Sequence, residues 1–275
     1  MSALAYGAGR SGGAPYRGGM SFERIALISD VHGNLTAYEA VLSDISARGI
    51  TRVINLGDLV GKGPRGAACT ALTRQRCEAT VRGNWEVFVA GDSELRSEGQ
   101  AWWRAELSAE DRRWLFSLPG SLDLELSGRR VRVLHASPVD EFTRVHREHS
   151  AEQFAMMFTP TPFTGDGGPA DVVVYGDIHD PFLRSGKEGA LVNVGSVGNQ
   201  LDDPTPSYAI LEGDSVGGKD APFGIQFVRV PYDVEAEIAA TRALGMPETE
   251  AYTIELRTGV YRGDHVALGL STPRG

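Results

Sequence analysis

Seven side chains that can bind metal ions each stand at, or just after, the end of a short apolar run of the sequence. They comprise three carboxylates, three imidazoles and one amide, namely Asp30, His32, Asp58, Asn84, His135, Asp177 and His179. In open α/β sheets, ligands bind at the carboxyl ends of the strands. If the apolar runs are strands of such a fold, these seven side chains meet at one rim.

Taken singly, each of these residues has an ordinary explanation, because Asp and Asn after a strand are typical turn or capping residues. Taken together, they bring several negative charges to one place, which is costly without cations. Oxygen and nitrogen ligands without a thiolate suit two divalent ions such as Mn²⁺, Fe²⁺ or Zn²⁺. Two such ions, roughly 3.5–4 Å apart, activate water and clamp a phosphoryl group. The pattern therefore favours a site that holds two divalent ions.

The first half of the chain alternates strands and helices. Short strands are predicted at 25–29, 52–56 and 78–82. One helix begins after Asn34, a good N-cap, and ends before Gly49, and a second helix is predicted over 65–76. This βαβαβ order implies a parallel sheet with right-handed crossovers.

The second half is richer in strands. Two helices are predicted over 98–117, and we expect Trp102, Trp103 and Trp114 to pack over the sheet. Further strands are predicted over 122–126, 130–135, 171–175, 190–194, 207–211 and 225–230. A loop is predicted over 159–169, and helices over 233–244 and near 248–256. No repeat or linker divides the sequence, so we expect a single domain over 21–275.

Composition and charge exclude several classes of protein. Of the 275 residues, 41% are hydrophobic and 23% are charged, which is ordinary for a globular protein. No apolar run reaches the roughly 18 residues that a membrane helix needs. The net charge of −9 argues against general nucleic-acid binding. A small anionic substrate stays compatible with it, because a metal ion supplies positive charge locally.

The beginning of the chain and its two cysteines bear on location. The first twenty residues contain six glycines and no long apolar stretch, so we predict a disordered glycine-rich tail over 1–20 and no secretory signal. Cys69 and Cys77 match neither a disulfide framework nor a zinc motif, and we expect two reduced thiols. The expected location is therefore the cytoplasm. The oligomeric state is left open.

Six short strings make the pattern specific. In chain order they are SDVHGN (29–34), LGDLVGKGP (56–64), RGNWE (82–86), LHASP (134–138), YGDIH (175–179) and NVGSVG (193–198). Over about residues 24–256 the sequence resembles the calcineurin-like metallophosphoesterases, and it is most similar to their compact bacterial branch of phosphodiesterases and diadenosine-tetraphosphatase-like phosphatases. The resemblance implies an α/β fold, a four-layer α-β-β-α sandwich with two mixed β-sheets and a dinuclear metal centre between them.

The resemblance also implies a role for each candidate ligand. The first metal ion would be held by Asp30, His32 and His179, and the second by Asn84, His135 and Asp177. Asp58 would bridge both ions, with a hydroxide completing the bridge as the nucleophile. Asp58, Asn84 and His135 are the candidate catalytic residues. Mn²⁺ is the expected ion, with Fe, Zn and Mg as alternatives.

Two positions depart from the pattern of the family. The family usually has His after Gly-Asn, as a transition-state stabiliser or proton donor, whereas this chain has Trp85. The family also prefers Gly-His-x-His, whereas this chain has Asp177 at the first of these histidines. A carboxylate still coordinates a metal, so we expect Asp177 to retune the second site rather than destroy it.

Substrate contacts are less specific in the sequence. Lys62, in a glycine-rich turn that lacks the spacing of a P-loop, and Arg82 are candidates for phosphate contact, and a solvated surface position is the alternative for each. Asn34 is a third candidate besides its predicted capping role. His146 and His149 are expected to be surface residues, with a position over the rim as the alternative.

These observations predict a metal-dependent phosphoester hydrolase acting on a small phosphoester or nucleotide. The choice among monoester, diester, cyclic nucleotide and dinucleoside polyphosphate stays open, because we expect segments 86–120 and 139–168 to form the pocket walls and they carry no recognisable code. The alternative is a ligand-depleted, non-catalytic scaffold or binding module of the same fold, which Trp85 and Asp177 would favour.

Overall fold

The computed structural model describes residues 21–92 and 94–271, which form ten strands, eight α-helices and a 3₁₀ turn at Arg262–Asp264. The strands are β1 (Phe22–Ile28), β2 (Arg52–Asn55), β3 (Ala79–Thr80), β4 (Ser121–Leu126), β5 (Arg129–Leu134), β6 (Val172–Tyr175), β7 (Phe182–Ser185), β8 (Ala190–Asn193), β9 (Ser207–Asp214) and β10 (Phe223–Arg229). The helices are α1 (Leu35–Ala47), α2 (Gly66–Arg76), α3 (Asn84–Ala90), α4 (Glu98–Glu106), α5 (Ala109–Ser117), α6 (Ala151–Phe158), α7 (Val234–Ala243) and α8 (Thr249–Thr258).

Two five-stranded mixed sheets form the centre of the molecule. The first has the order β10-β9-β1-β2-β3, and the predicted parallel arrangement of β1, β2 and β3 is confirmed. Strands β9 and β10 extend it in antiparallel pairs. The second has the order β4-β5-β6-β8-β7, in which β5, β6 and β8 are parallel. The parallel strands therefore occupy the middle of the second sheet and one side of the first, where β3 is the edge strand.

The apolar core has a layer between the sheets and a layer on the outer face of each. In β1, Ile25 and Leu27 pack between the sheets, while Ala26 and Ile28 face the helices on the other side, as the period of two requires. The outer face of the second sheet is covered by α6 through Phe154 and its neighbours. The four-layer α-β-β-α sandwich is thus confirmed.

Local signals explain most element boundaries. Asn34 caps α1 by accepting a hydrogen bond from the N–H of Ala37, and the helix gives way to Gly49 in the left-handed region. Trp103 is buried in the core beneath the helices of the first sheet, as predicted. Trp102 and Trp114 are partly buried and pack against the same core. Cys69 and Cys77 are free thiols.

Three elements were not predicted. Strand β7 buries only Phe182, and α3 has seven residues, so neither carries a clear periodic pattern. Helix α6 does carry a signal, because Ser150 and Gln153 form a capping box at its start. The predicted strand 78–82 is reduced to Ala79–Thr80. The predicted tail over 1–20 lies outside the described residues.

Within the described part of the chain, no helix is long and apolar enough to span a membrane.

Candidate metal centre

The structure brings all seven predicted ligands to one rim of the sandwich. Asp30 and His32 follow β1, Asp58 follows β2, and Asn84 opens α3. His135 follows β5, and Asp177 and His179 follow β6. Each of the seven residues is at least 94% buried. Seven polar side chains packed so closely require either mutual neutralisation or a cation.

The backbone at this rim adopts an unusual conformation. Asp30, His32, Asp58, Asp177 and His179 all have φ between 48° and 62°, which is the left-handed region. Non-glycine residues in this region cost on the order of 1–3 kcal/mol each and cluster at functional sites. Backbone hydrogen bonds between the turns after β1 and β2, from Asp30 N to Gly57 O and from His32 N to Asp58 O, stabilise the arrangement. This left-handed backbone conformation directs the polar side chains of these turns into the buried rim.

One group that could hold a metal ion consists of Asp30, His32 and His179, whose ligand atoms all lie within 4.8 Å of one another. His179 Nε2 lies 3.0 Å from Asp30 Oδ1 and 3.2 Å from His32 Nε2. The structure thus joins the three residues expected at the first ion.

A second group of the same kind consists of Asp30, Asp58 and His135. Asp58 Oδ2 lies 3.6 Å from His32 Nε2 and 3.5 Å from His135 Nε2. That oxygen therefore lies between His32 of the first group and His135 of the second. Asp58 Oδ1 accepts a hydrogen bond from the N–H of Trp85 at 2.8 Å, which fixes the rotation of the carboxylate.

The three imidazoles are oriented by backbone carbonyls. His135 Nδ1 donates to Leu56 O at 2.8 Å, His32 Nδ1 to Val60 O at 3.3 Å, and His179 Nδ1 to Asn199 O. A carbonyl only accepts, so Nδ1 carries a proton in each ring, and in the neutral imidazole that binds a metal Nε2 keeps its lone pair. Such outer hydrogen bonds are the usual support of metal-ligating histidines.

Three buried atoms at the rim have no hydrogen-bond partner among the described residues, namely Asp30 Oδ1, Asn84 Oδ1 and His135 Nε2. Each is an atom type that ligates divalent ions, and a buried polar atom without a partner is costly in the absence of one. The residues present therefore fit a metal centre.

Asp177 lies in the same buried space but outside both groups. Its Oδ1 accepts a hydrogen bond from Asn84 Nδ2 at 2.8 Å and lies 3.8 Å from His135 Nε2. Arg144 Nε lies 3.2 Å from Oδ1 and 3.1 Å from Oδ2 of the same carboxylate. Burial raises the pKa of Asp177, and His135 and Arg144 only partly oppose the shift. Its predicted role as a ligand stays a prediction.

The other ionisable groups of the rim shift one another's pKa values. Burial alone would raise the pKa of Asp30, but His179 and His32 outweigh it and hold this pKa well below its usual range. Burial would lower the pKa of His135, but the charges of Asp58, Asp30 and Asp177 raise it well above its usual value. Burial and Lys62 lower the pKa of His32 to about 4. The rim thus favours the ionised forms of Asp30 and Asp58, whose pKa values are lowered, but not that of Asp177.

Glu86 supports the site and was not singled out in the sequence. Its buried carboxylate accepts hydrogen bonds from the N–H groups of Asp58, Leu59 and Gly83 at 2.7–2.8 Å. Burial and the adjacent Asp58 raise the pKa of Glu86 to about 7. The signal that could have found it is its position three residues after Gly83, the spacing of a helix N-terminal carboxylate.

A cleft of about 450 Å³ opens beside the two groups. It is lined by Lys62, Trp85, Arg144, His146, Asp177, Ile178, His179, Leu201, Tyr261 and Arg262. Segment 139–168 was expected to form a wall of the cleft, and it contributes Arg144 and His146. Segment 86–120 was expected to form another wall, but none of its described residues lines the cleft. Tyr261 and Arg262, near the C-terminus, line the cleft and were not expected. A larger and more open groove of about 800 Å³ lies between α2, β3 and α5 and contains none of the candidate ligands.

The predicted substrate contacts have different surroundings. Lys62 lines the cleft, where its ammonium donates to Asn199 Oδ1 at 2.9 Å and burial lowers its pKa to about 8. Arg82 lies outside the cleft lining and pairs with Glu141 at 2.9 Å. Asn34 is fully buried, where it caps α1 and donates to Gly198 O at 2.9 Å. The structure therefore gives Arg82 and Asn34 structural partners.

The two histidines after β5 differ from each other. His146 is exposed, as expected, and it also lines the cleft, as the alternative interpretation had it. His149 is only 7% exposed and stacks on Phe154, so its expected surface position is wrong. The reason is that its ring stacks on both Phe154 of α6 and Phe182 of β7.

The chain is similar to known proteins in both sequence and structure. A model of the calcineurin-like phosphoesterase superfamily domain matches residues 24–215. An uncharacterized protein of Methanocaldococcus jannaschii is 31% identical in an alignment of 234 positions that covers 77% of this chain and 88% of that protein. Among solved structures, a metallophosphoesterase from Sphaerobacter thermophilus is 29% identical with a TM-score of 0.69, covering 86% of this chain and 99% of that chain. A hypothetical protein from Pyrococcus horikoshii has a TM-score of 0.70 at 17% identity with the same coverage, a likeness of fold.

Proposed function

Because this chain belongs to the calcineurin-like phosphoesterase superfamily, we propose that it is a metal-dependent hydrolase of small phosphoesters. The observation that carries the proposal is the pair of ligand groups that share Asp30, together with the unpartnered buried atoms of Asp30, Asn84 and His135. Ligand atoms held ready in a buried rim, beside an open cleft, are what a hydrolytic metal site needs.

The ligand set that we propose is the one implied by the sequence. Asp30, His32 and His179 would hold one ion, Asn84, His135 and Asp177 the other, with Asp58 between them. Four oxygen and three nitrogen donors without a thiolate support Mn²⁺, with Fe, Zn and Mg as alternatives. Two such ions would supply Lewis acidity toward the phosphoryl oxygens and lower the pKa of water.

The chain's own residues prepare this chemistry. The carbonyls of Leu56, Val60 and Asn199 keep the three Nε2 atoms directed into the rim. The cleft volume suits a small phosphoester or nucleotide, since small-molecule sites commonly occupy about 300–1,000 Å³. Lys62 at its wall provides positive charge for an anionic substrate. Trp85, also in the wall, has no proton to give near neutral pH, so this position adds packing rather than acid catalysis.

A non-catalytic binding module is the second candidate. The observation in its favour is the contact between Arg144 and Asp177, because a guanidinium already neutralises one carboxylate of the proposed ligand set. The retained donors at the other six positions, all buried at one rim, support the enzyme instead.

The test combines metal analysis with a broad panel of phosphoesters in the presence of Mn²⁺. We expect two ions per wild-type chain and hydrolysis of at least one class of ester. Asp58→Asn removes the charge between the two groups, so metal content and turnover should fall together, turnover by about 10²–10³-fold or more. Asp92→Asn is the matched control, because the Asp92 side chain is fully exposed. Activity near that of the wild type in a clean Asp58→Asn preparation would exclude the dinuclear mechanism, and bound metal without any turnover would favour the binding module.

A further inference from the structure

Arg144 stands between the proposed metal site and solvent. It lies in the segment between β5 and α6, lines the cleft, and contacts both oxygens of Asp177 through a single atom, Nε, at 3.1–3.2 Å. The Asp177 side chain is 1% exposed, whereas the Arg144 side chain is 56% exposed. One edge of the guanidinium is therefore fixed at the buried rim while the rest of the side chain remains accessible from the cleft.

The terminal nitrogens of Arg144 are available for a ligand. A guanidinium has five N–H donors, and Nε supplies one of them. Among the hydrogen bonds of the described residues, those of Arg144 all use Nε, so Nη1 and Nη2 have no protein partner. Four donors on a permanently charged, planar group thus face a cleft that adjoins the candidate metal ligands.

The other cations of the cleft are already engaged. Arg262 donates to Glu255 at 2.8 Å and to Glu248 at 2.5 Å, so two carboxylates neutralise it. The ammonium of Lys62 is tied to Asn199, and its pKa of about 8 makes its charge depend on pH near neutrality. Arg144 is the cleft cation that combines a constant charge with free donors.

Resting on the proposed function, we propose that Arg144 binds the charged oxygens of the substrate phosphoryl group, and of the phosphate product, through Nη1 and Nη2. Guanidinium and phosphate match in bidentate geometry, and such charge-assisted hydrogen bonds are stronger than neutral ones. The contact of Nε with Asp177 keeps the fork beside the ions that would hold the same group. A lysine at this position would preserve the charge but lose the fork.

The experiment measures binding of inorganic phosphate to the Mn²⁺-loaded protein by isothermal titration calorimetry. We expect Arg144→Ala to raise the Kd for phosphate by about 10- to 100-fold. Arg144→Lys should fall between the wild type and Arg144→Ala. Metal content, measured on the same samples, should not change in either variant.

Arg147→Ala is the matched control. Arg147 lies three residues further on, pairs with Asp180 as Arg144 pairs with Asp177, and does not line the cleft. The Arg147→Ala variant removes the same charge from the same segment. Its Kd for phosphate should stay within about twofold of the wild-type value, because Arg147 is a screened surface charge.

Several results would overturn the inference. They are no measurable phosphate binding by the loaded wild type, an unchanged Kd in Arg144→Ala, an equal loss in Arg147→Ala, or a loss of bound metal that accounts for the change in Kd. The last would make Arg144 only a counter-ion of Asp177. If phosphate binding depends on Arg144 while no ester is hydrolysed, this inference stands and the proposed function fails. If Arg144→Ala hydrolyses esters and binds phosphate like the wild type, the proposed function stands and this inference fails.

Discussion

Trp85 stands where related proteins usually have a catalytic histidine, and its role in this structure is packing. Its ring meets His32 edge-on with 5.8 Å between centroids and packs in the same way on Trp103 at 5.3 Å. A Cβ added to Gly61 would lie 2.1 Å from the indole, so the glycine-rich turn can pass only because position 61 has no side chain. The indole thus helps to hold His32 in place, a role that an imidazole of smaller volume would fill less completely.

The chemical consequence of Trp85 is testable. Without a titratable group at this position, protonation of the leaving oxygen must come from water or from another side chain such as His146. General acid assistance is typically worth about 10²–10⁴-fold, and it matters most for poor leaving groups. We expect kcat/KM for aryl phosphoesters to exceed that for alkyl phosphoesters by about this factor.

Trp85→His provides the internal comparison for this prediction. The ratio of aryl to alkyl kcat/KM should narrow in the variant, while its thermal midpoint falls because the contacts with Trp103 and Gly61 are lost. Equal rates for both ester classes in the wild type, under conditions where chemistry limits turnover, would contradict the prediction.

At the scale of elements, the site depends on turns that join one strand end to another. Glu86, on the first turn of α3, accepts hydrogen bonds from two N–H groups after β2 and from one before α3. One buried carboxylate therefore fixes the position of Asp58 relative to Asn84. It also satisfies donors that no regular hydrogen-bond ladder reaches.

Removing this carboxylate should loosen the whole rim. Glu86→Ala leaves three buried N–H groups without a partner, and each costs about 1–3 kcal/mol, so we expect a loss of roughly 3 kcal/mol or more in the free energy of unfolding. Glu86→Gln keeps an acceptor and should lose less. Glu110→Ala on the exposed face of α5 is the control, since that side chain is 74% exposed. Urea denaturation checks the ranking; a Glu86→Ala variant as stable as the control would contradict it.

The elements also explain how far the sequence could predict the molecule. Apolar runs such as 25–29 and the cap at Asn34 are local, so the strands of the sheet centres and helix α1 were predictable. The ligands were predictable for the same reason, because they directly follow such runs. The cleft walls were predictable only in part. Arg144 lies in a segment that was expected there, but Tyr261 reaches the rim through tertiary packing from beyond α8, and the pairing of Arg144 with Asp177 joins residues 33 positions apart.

At the scale of the whole molecule, the C-terminal segment is connected to the metal centre through Asn199. The backbone oxygen of Asn199 accepts from His179, its side-chain oxygen accepts from Lys62, and its Nδ2 donates to Glu255 on α8 at 3.1 Å. Glu255 in turn pairs with Arg262, beyond the part of the chain that the superfamily model matches. Residues outside the range that the superfamily model matches thus support the candidate ligand His179.

Breaking the pair of Glu255 and Arg262 should destabilise the protein in a manner that depends on pH. Burial would raise the pKa of Glu255, but Arg262 and Lys62 outweigh it and hold this pKa below its usual value. The stabilisation is therefore complete above the ordinary glutamate pKa of about 4.5 and is lost as the pH falls through the lower folded-state value.

In Arg262→Met the carboxylate of Glu255 stays buried without Arg262, its main partner. This should lower the free energy of unfolding by about 3–5 kcal/mol at pH 7. Burial then raises the pKa of Glu255 in the variant, so its folded state takes up protons more readily than its unfolded state and gains relative stability as the solution is acidified. The difference in unfolding free energy between wild type and variant should consequently be largest at pH 7 and shrink toward pH 4.5. Arg257→Met, which breaks an exposed pair between α8 and Glu235, should change little at either pH. A difference that stayed constant between the two pH values would mean that lost packing of the arginine stem, rather than the buried charge, determines the contribution of this segment to stability.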